Sequence, residues 1–149
     1  MGVEFEDLHY EQGDAPEFDR SAWTNVKPTL GLPFPNLPYL IDGEVKVTEA
    51  NAIMKYLAVK HCYGLLGANP EAVAKIEMLA GILYDLKMAL TLPCYTTGDR
   101  EGMVRKIHQR VPGIVAFMGE NAFLSGTEVA YIDFTFFEMC ELMEFISEG

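Results

Sequence analysis

Few side chains in this sequence are spaced to do chemistry unaided. His9, His61 and His108 are scattered, none at a triad or metal-ligand spacing from a carboxylate or cysteine, so a surface or structural role reads best for each. Cys62, Cys94 and Cys140 form no Cys-x-x-Cys or Cys/His pattern. That argues against a disulfide framework and a zinc site, and fits a reducing, cytoplasmic setting. The chain has no Gly-x-Gly-x-x-Gly and no P-loop. Glu138, Glu141, Glu144 and Glu148 recur at helical spacing, where a solvated face explains them better than a carboxylate pair. Neither a metal nor a cofactor is expected from these groups.

The stretch FPNLPYLIDG, Phe34 to Gly43, is different. An Xaa-Pro bond tolerates the cis form at small cost, and a cis turn before a strand leaves the preceding amide and carbonyl free. Such groups can take a peptide-like ligand as an added strand. Pro38 also fits the plain start of an edge strand, and from the proline alone that is the preferred reading.

The surrounding elements follow from period and punctuation. Val3 to Tyr10 alternates imperfectly and suggests a strand, and Asp14 to Leu32 reads as a long connection with a helical turn around Arg20 to Asn25. Tyr39-Leu40-Ile41 and Glu44 to Val47, around a two-residue Asp42-Gly43 type I′ signal, predict a hairpin. Thr48 then stands as N-cap of a helix ending near Lys60-His61. Asn69-Pro70-Glu71 opens a helix to about Leu90, with Val73, Ile76, Ala80 and Leu83 on one stripe and Leu79, Ile82, Leu86 and Leu90 on another. Apolar on more than one side, it is either a central core helix or one shared at an oligomer interface. Thr96 to Asp99 breaks the pattern, and Met103, Ile107, Val111, Val115 and Met118 carry the next helix, with a bend expected at Pro112-Gly113. A last helix from Tyr131 towards Ile146, rich in aromatic residues and Met, reads as buried. The order is α+β followed by all-α: residues 1–62, a linker at 63–68, and 69–149.

At 149 residues and 50% apolar, the chain can fill a core. Its formal charge of −11 opposes attraction to nucleic acid or an anionic membrane surface, and no apolar run reaches membrane-spanning length. Small molecules and proteins are the partners left.

The continuous segment DAPEFDRSAWTNVKPTLGLPFPNLPYLIDGEVKVTEANAIMKYLAVKH, Asp14 to His61, closely resembles the glutathione transferases, the mu class in particular. The likeness continues more loosely through the helical half. It implies a partial thioredoxin-like N-terminal domain, lacking its first strand and helix, followed by an all-helical bundle domain. It also implies a homodimer that adds the glutathione thiol to small hydrophobic electrophiles, glutathione being substrate and no cofactor being needed. An inactive dimeric scaffold holding glutathione or a hydrophobic ligand is the alternative.

Residue by residue, the resemblance implies that Asn36 and Leu37, before a cis Pro38, pair with the cysteinyl part of glutathione. Trp23 and Lys27, and less directly Arg20, would reach the glycyl carboxylate, for which an indole N–H and a cation are suitable partners. Where the family places Gln-Ser for the γ-glutamyl end, this chain has Glu49-Ala50. Glu49 would repel the glutamyl carboxylate or pair with its ammonium, and Ala50 offers only its backbone N–H. Asp85 matches an acid that reaches across the dimer to the partner's glutathione, Tyr95 a tyrosine lining the electrophile site, and Phe34 an aromatic lock at the dimer interface. Tyr131-Ile132-Asp133-Phe134 looks like a buried helix-start motif, with Ala130 at the N-cap in place of the usual hydroxyl residue, at a cost of about 1 kcal/mol. The thiol-activating tyrosine is expected on a strand preceding Met1, so none is assigned within the chain, and the C-terminus is expected to be shortened as well.

Overall fold

The computed structural model describes residues 2–148, and its contacts divide the chain into two units, Met1–His61 and Cys62–Gly149.

In the first unit a two-stranded antiparallel sheet pairs β1 (Tyr39–Asp42) with β2 (Val45–Thr48), in a register that sets Tyr39 opposite Thr48 and Asp42 opposite Val45. The loop is therefore Gly43-Glu44, one residue beyond the expected Asp42-Gly43. Gly43 has φ +59°, while Glu44 is not among the positive-φ residues, so glycine occupies the first loop position as in a type II′ turn. Asp42 is held in the strand because its carboxylate accepts from Tyr56 Oη at 2.8 Å and pairs with Lys60. Those two bonds hold the Asp42 carboxyl below its usual range, Lys60 first and Tyr56 second, and the bond to Asp42 raises the Tyr56 phenol.

Tyr56 and Lys60 belong to α2 (Ala50–His61), which packs on both strands. Thr48, expected as its cap, is instead the last residue of β2, one position too early. The residue before the helix is Glu49, whose φ of +75° lies in the left-handed region and whose carbonyl accepts from the Ile53 N–H at 3.0 Å. A short α1 (Ser21–Thr24) confirms the expected turn, followed by a 3₁₀ turn at Lys27–Thr29. Asp19 fixes the entry to α1 by accepting from the Ser21 N–H and Oγ at 2.9 and 2.6 Å. The strand expected over Val3 to Tyr10 does not form. Alternation specifies two faces but not a partner, and among the described residues the only ladder is β1–β2.

The second unit packs α3 (Pro70–Tyr95), α4 (Arg100–Met118) and α5 (Tyr131–Glu148) pairwise against one another. The start of α3 is as expected, with Asn69 as N-cap accepting from the Ala72 N–H at 2.9 Å and Pro70 at the first helical position. It continues past Leu90 to Tyr95 because the carbonyls of Lys87, Leu90 and Leu92 accept from Thr91 Oγ1, Cys94 Sγ and Thr96 Oγ1. Its buried face is Ile76, Leu79, Ala80, Leu83, Leu86 and Leu90, whereas Val73 and Ile82, assigned to the two stripes, are exposed. Helix α4 runs unbroken through Pro112, and its buried positions are Met103, Ile107 and Ile114, so Ile114 takes the place expected of Val115.

Helix α5 is not buried all round. Tyr131, Ile132, Met139, Met143 and Ile146 face the core, while Phe134, Phe137 and Phe145 are 54, 62 and 78% exposed. Composition predicted burial, but 3.6-residue periodicity divides this run between two faces. At its N-terminus Asp133 accepts from the Ala130 N–H at 2.8 Å and the Leu124 N–H at 2.7 Å. At its C-terminus the Arg100 guanidinium donates to the carbonyls of Ile146 at 2.7 Å and Phe145 at 3.3 Å. A cation on those carbonyls opposes the negative end of the helix, which has no basic residue in its own last turn. Arg100→Ala is expected to cost about 1–2 kcal/mol of unfolding free energy, read as a lower urea midpoint with unchanged slope.

Candidate functional site

Of the first-unit residues that the family resemblance singles out, Trp23 and Lys27 lie beside the Leu37–Pro38 turn at the entrance to β1. The Leu37–Pro38 bond is cis, as the family resemblance implied and against the plain edge-strand start preferred from the proline alone, and Asn36, Leu37 and Pro38 are all exposed. Among the described residues no backbone group pairs with Leu37 across this turn.

Tyr39, the next residue, carries the geometry inward. Its ring stacks on the Trp23 indole at 5.9 Å between centroids and 17° between planes. Tyr10 lies against the same indole at 5.1 Å, tilted by 60°. The two phenols meet hydroxyl to hydroxyl at 2.7 Å. That bond is the leading reason the Tyr39 phenol is pushed up to about 12, with partial burial and the nearby Tyr10 and Glu6 adding to it. Lys27 Nζ sits 6.0 Å from the Trp23 ring centroid, at the outer limit of a cation–π contact. The result is an aromatic box with a lysine at its rim, directly beside the turn.

This box contains Tyr10, which the sequence places only at the end of an expected strand and not in the site. Tyr10 stands in a segment with no regular structure, and nothing in its spacing points to Trp23, thirteen positions on. Arg20 is exposed at the N-cap of α1, where its carbonyl accepts from the Trp23 and Thr24 amides. Glu49 and Ala50 are exposed at the start of α2. There the first amides of the helix lack intrahelical partners by construction, and the helix dipole favours an anion.

The other candidates lie elsewhere. Phe34 is 80% exposed, so in this chain it does not fold onto its own core. In the second unit Asp85 is exposed on α3, on the side away from its buried stripe and near Ile82 and Met88, and Tyr95 ends α3 at 88% exposure. A separate cavity of about 570 Å³ in this unit is lined by Cys62, Leu65, Ala72, Ile76, Thr127 and Val129 among others. No helix among the described residues is long and apolar enough to cross a membrane.

A cis-proline turn, hairpin and helix with an indole and a lysine at the strand mouth, followed in sequence by an all-helical unit, define a thioredoxin-like domain joined to a helical domain. Comparison with known proteins agrees. The family described as Glutathione S-transferase, N-terminal domain, matches residues 1–59. A glutathione S-transferase of Dermatophagoides pteronyssinus is 37% identical over 99% of this chain and 68% of its own length. Glutathione S-transferase Mu 1 of Bos taurus is 36% identical over 93% of this chain and 64% of its own length. The solved structure of the glutathione S-transferase Blo t 8 superimposes with a TM-score of 0.79 at 29% identity, covering 93% of this chain and 64% of that one. The chain belongs to the glutathione S-transferase family and is mu-class-like within it. It spans about two thirds of the length of these relatives.

Proposed function

We propose that this chain binds glutathione at the mouth of β1 and, in its full-length form, conjugates the glutathione thiol to small hydrophobic electrophiles. The observation that carries the reading is the position of Trp23 against Tyr39, next to the turn. Had the indole and Lys27 pointed away from Pro38, a purely structural module would be preferred.

In this reading the free backbone of Leu37 pairs with the cysteinyl residue, Asn36 and Pro38 shape the turn, and Trp23 and Lys27, with Arg20 in support, receive the glycyl carboxylate. Glu49 and the Ala50 amide hold the γ-glutamyl end. Asp85 completes the site across a homodimer, Phe34 acts as the lock of that dimer, and Tyr95 lines the electrophile subsite. Two features support the dimer. Phe34 is exposed, and α3 carries a second apolar side, Met78, Ile82, Met88 and Leu92, that its own unit leaves uncovered. A cytoplasmic location follows from the free cysteines and the proposed substrate. The domain limits proposed are 1–62 and 69–149, with residues 63–68 between them.

Glu49-Ala50 favours a second reading, an inactive dimeric scaffold that holds glutathione or a hydrophobic ligand. A carboxylate stands where an anion must be received, and the hydroxyl that would assist is absent. Calorimetry with glutathione and turnover of a chlorinated nitroaromatic, measured on the same preparation of the full-length form, separates the two. Binding with turnover supports the enzyme, binding alone the scaffold, and no binding removes both glutathione readings. Ala50→Ser is expected to tighten glutathione by about 3- to 10-fold, the worth of one ordinary hydrogen bond. Equal affinity of the two proteins would show that the hydroxyl is not what this subsite lacks.

A further inference from the structure

Two parts of the proposed site are far apart in sequence and differ in kind: the Leu37–Pro38 turn offers backbone, while Trp23 and Lys27 offer an indole and a cation. Each sits in a connection, and α1 is only four residues long, too short to hold an indole rigidly by itself. Something else must set the orientation of Trp23 relative to the turn. Three contacts do so. Tyr39 follows Pro38 directly and stacks on the indole, Tyr10 covers the indole at 5.1 Å, and the 2.7 Å hydroxyl bond joins the two phenols. The indole is thus gripped by two rings that are fastened to each other, and one of those rings is the first residue of β1.

From this geometry, and resting on the glutathione reading above, we propose that Tyr10 and Tyr39 are positioning residues. Their hydroxyl bond locks the Trp23 indole to the Leu37–Pro38 turn, so that the group receiving the glycyl carboxylate is held at a fixed distance from the backbone receiving the cysteinyl residue. Neither phenol touches the ligand. Preorganisation of this sort raises affinity by removing an ordering cost at binding rather than by adding a contact. The bond to Tyr10 and partial burial raise the Tyr39 phenol, as for a hydroxyl held in a hydrogen bond rather than free in water. The remaining tethers of the segment carrying Tyr10 are weak. Residues 2–9 are exposed, and the Gly13 N–H to Asp19 C=O bond at 2.7 Å closes the loop on the far side of Tyr10.

The experiment compares glutathione with γ-glutamylcysteine, which lacks the glycyl residue, on the full chain and on Tyr10→Phe, Tyr39→Phe and the double variant. Phenylalanine keeps both rings and removes only the hydroxyl bond. Each single variant is expected to lose about 3- to 10-fold in glutathione affinity. Affinity for γ-glutamylcysteine should stay within about twofold, and the double variant should lose no more than either single one, because all three lack the same bond. Trp23 is the chain's single tryptophan, so its near-ultraviolet circular dichroism reports the box directly and should weaken in all three variants. Equal loss for both ligands would assign the tyrosines a general structural role and overturn the proposal. Unchanged dichroism together with unchanged affinities would overturn it too. If the unsubstituted chain binds γ-glutamylcysteine but gains nothing from the glycyl residue, the glutathione site stands and this inference falls. If it binds neither, the site reading itself falls and this inference with it.

Discussion

Replacing Asp133 with alanine is expected to lower the unfolding free energy by about 2–5 kcal/mol, the largest effect of any single polar substitution considered for this chain. One carboxylate satisfies two backbone donors, the Ala130 N–H at the start of α5 and the Leu124 N–H in the preceding loop. Leu124 and Ala130 are 1 and 2% exposed, so water cannot readily take over either bond. In a hydroxyl-capped helix part of this work is shared, but Ala130 has no side chain with which to reciprocate. Asp133→Asn keeps one acceptor oxygen and should recover part of the loss, which distinguishes missing hydrogen bonds from missing volume. Urea unfolding of the three proteins is the measurement. A loss below about 1 kcal/mol for the alanine variant would mean that the two amides find other partners once the carboxylate is gone.

The second large effect is expected on binding. Trp23→Phe retains a ring that can stack between Tyr10 and Tyr39 but deletes the indole N–H, for which no acceptor appears among the described residues. If that N–H meets the glycyl carboxylate, glutathione affinity should fall by about 10- to 100-fold, as for a hydrogen bond to a charged group. Stability should change little, because the stacked area is kept. Isothermal calorimetry on the variant, with its unfolding midpoint as control, checks both statements. Unchanged affinity would leave Trp23 as a half-buried loop anchor and nothing more.

How much of this was legible beforehand depended on whether a residue's neighbours are close in sequence. The β1–β2 hairpin, α2, the Asn69 cap and the Asp133 cap were legible because each is decided within a few positions by period, glycine or capping chemistry. The hairpin loop was misplaced by one residue for a long-range reason, the hold of Tyr56 and Lys60 on Asp42. The Val3–Tyr10 segment misled because a strand pattern says nothing of its partner. Helix α5 differs from its expected burial because composition says nothing of face, and a 3.6-residue period leaves Phe134, Phe137 and Phe145 outside. The expected end of α3 falls at Leu90 because the apolar stripes end there, while the hydroxyl and thiol groups that bond back to the carbonyls of the last turns carry no periodic signal. Within the candidate site, the family resemblance is what points to Trp23, Lys27 and the Leu37–Pro38 turn. The contact of Tyr10 with Trp23 and Tyr39 was not legible, since an irregular segment carries no periodic signal of what it faces.

Glu49 shows that a stability measurement can mislead at this site. Its φ of +75° puts a side chain where glycine is at ease, a conformation that costs roughly 1 kcal/mol or more for an ordinary L-residue. A screen of variants for heat resistance would therefore favour glycine at position 49 and score the exchange as a gain. That same exchange deletes a carboxylate at the head of α2, so a library ranked on melting temperature alone would select against whatever specificity that charge confers.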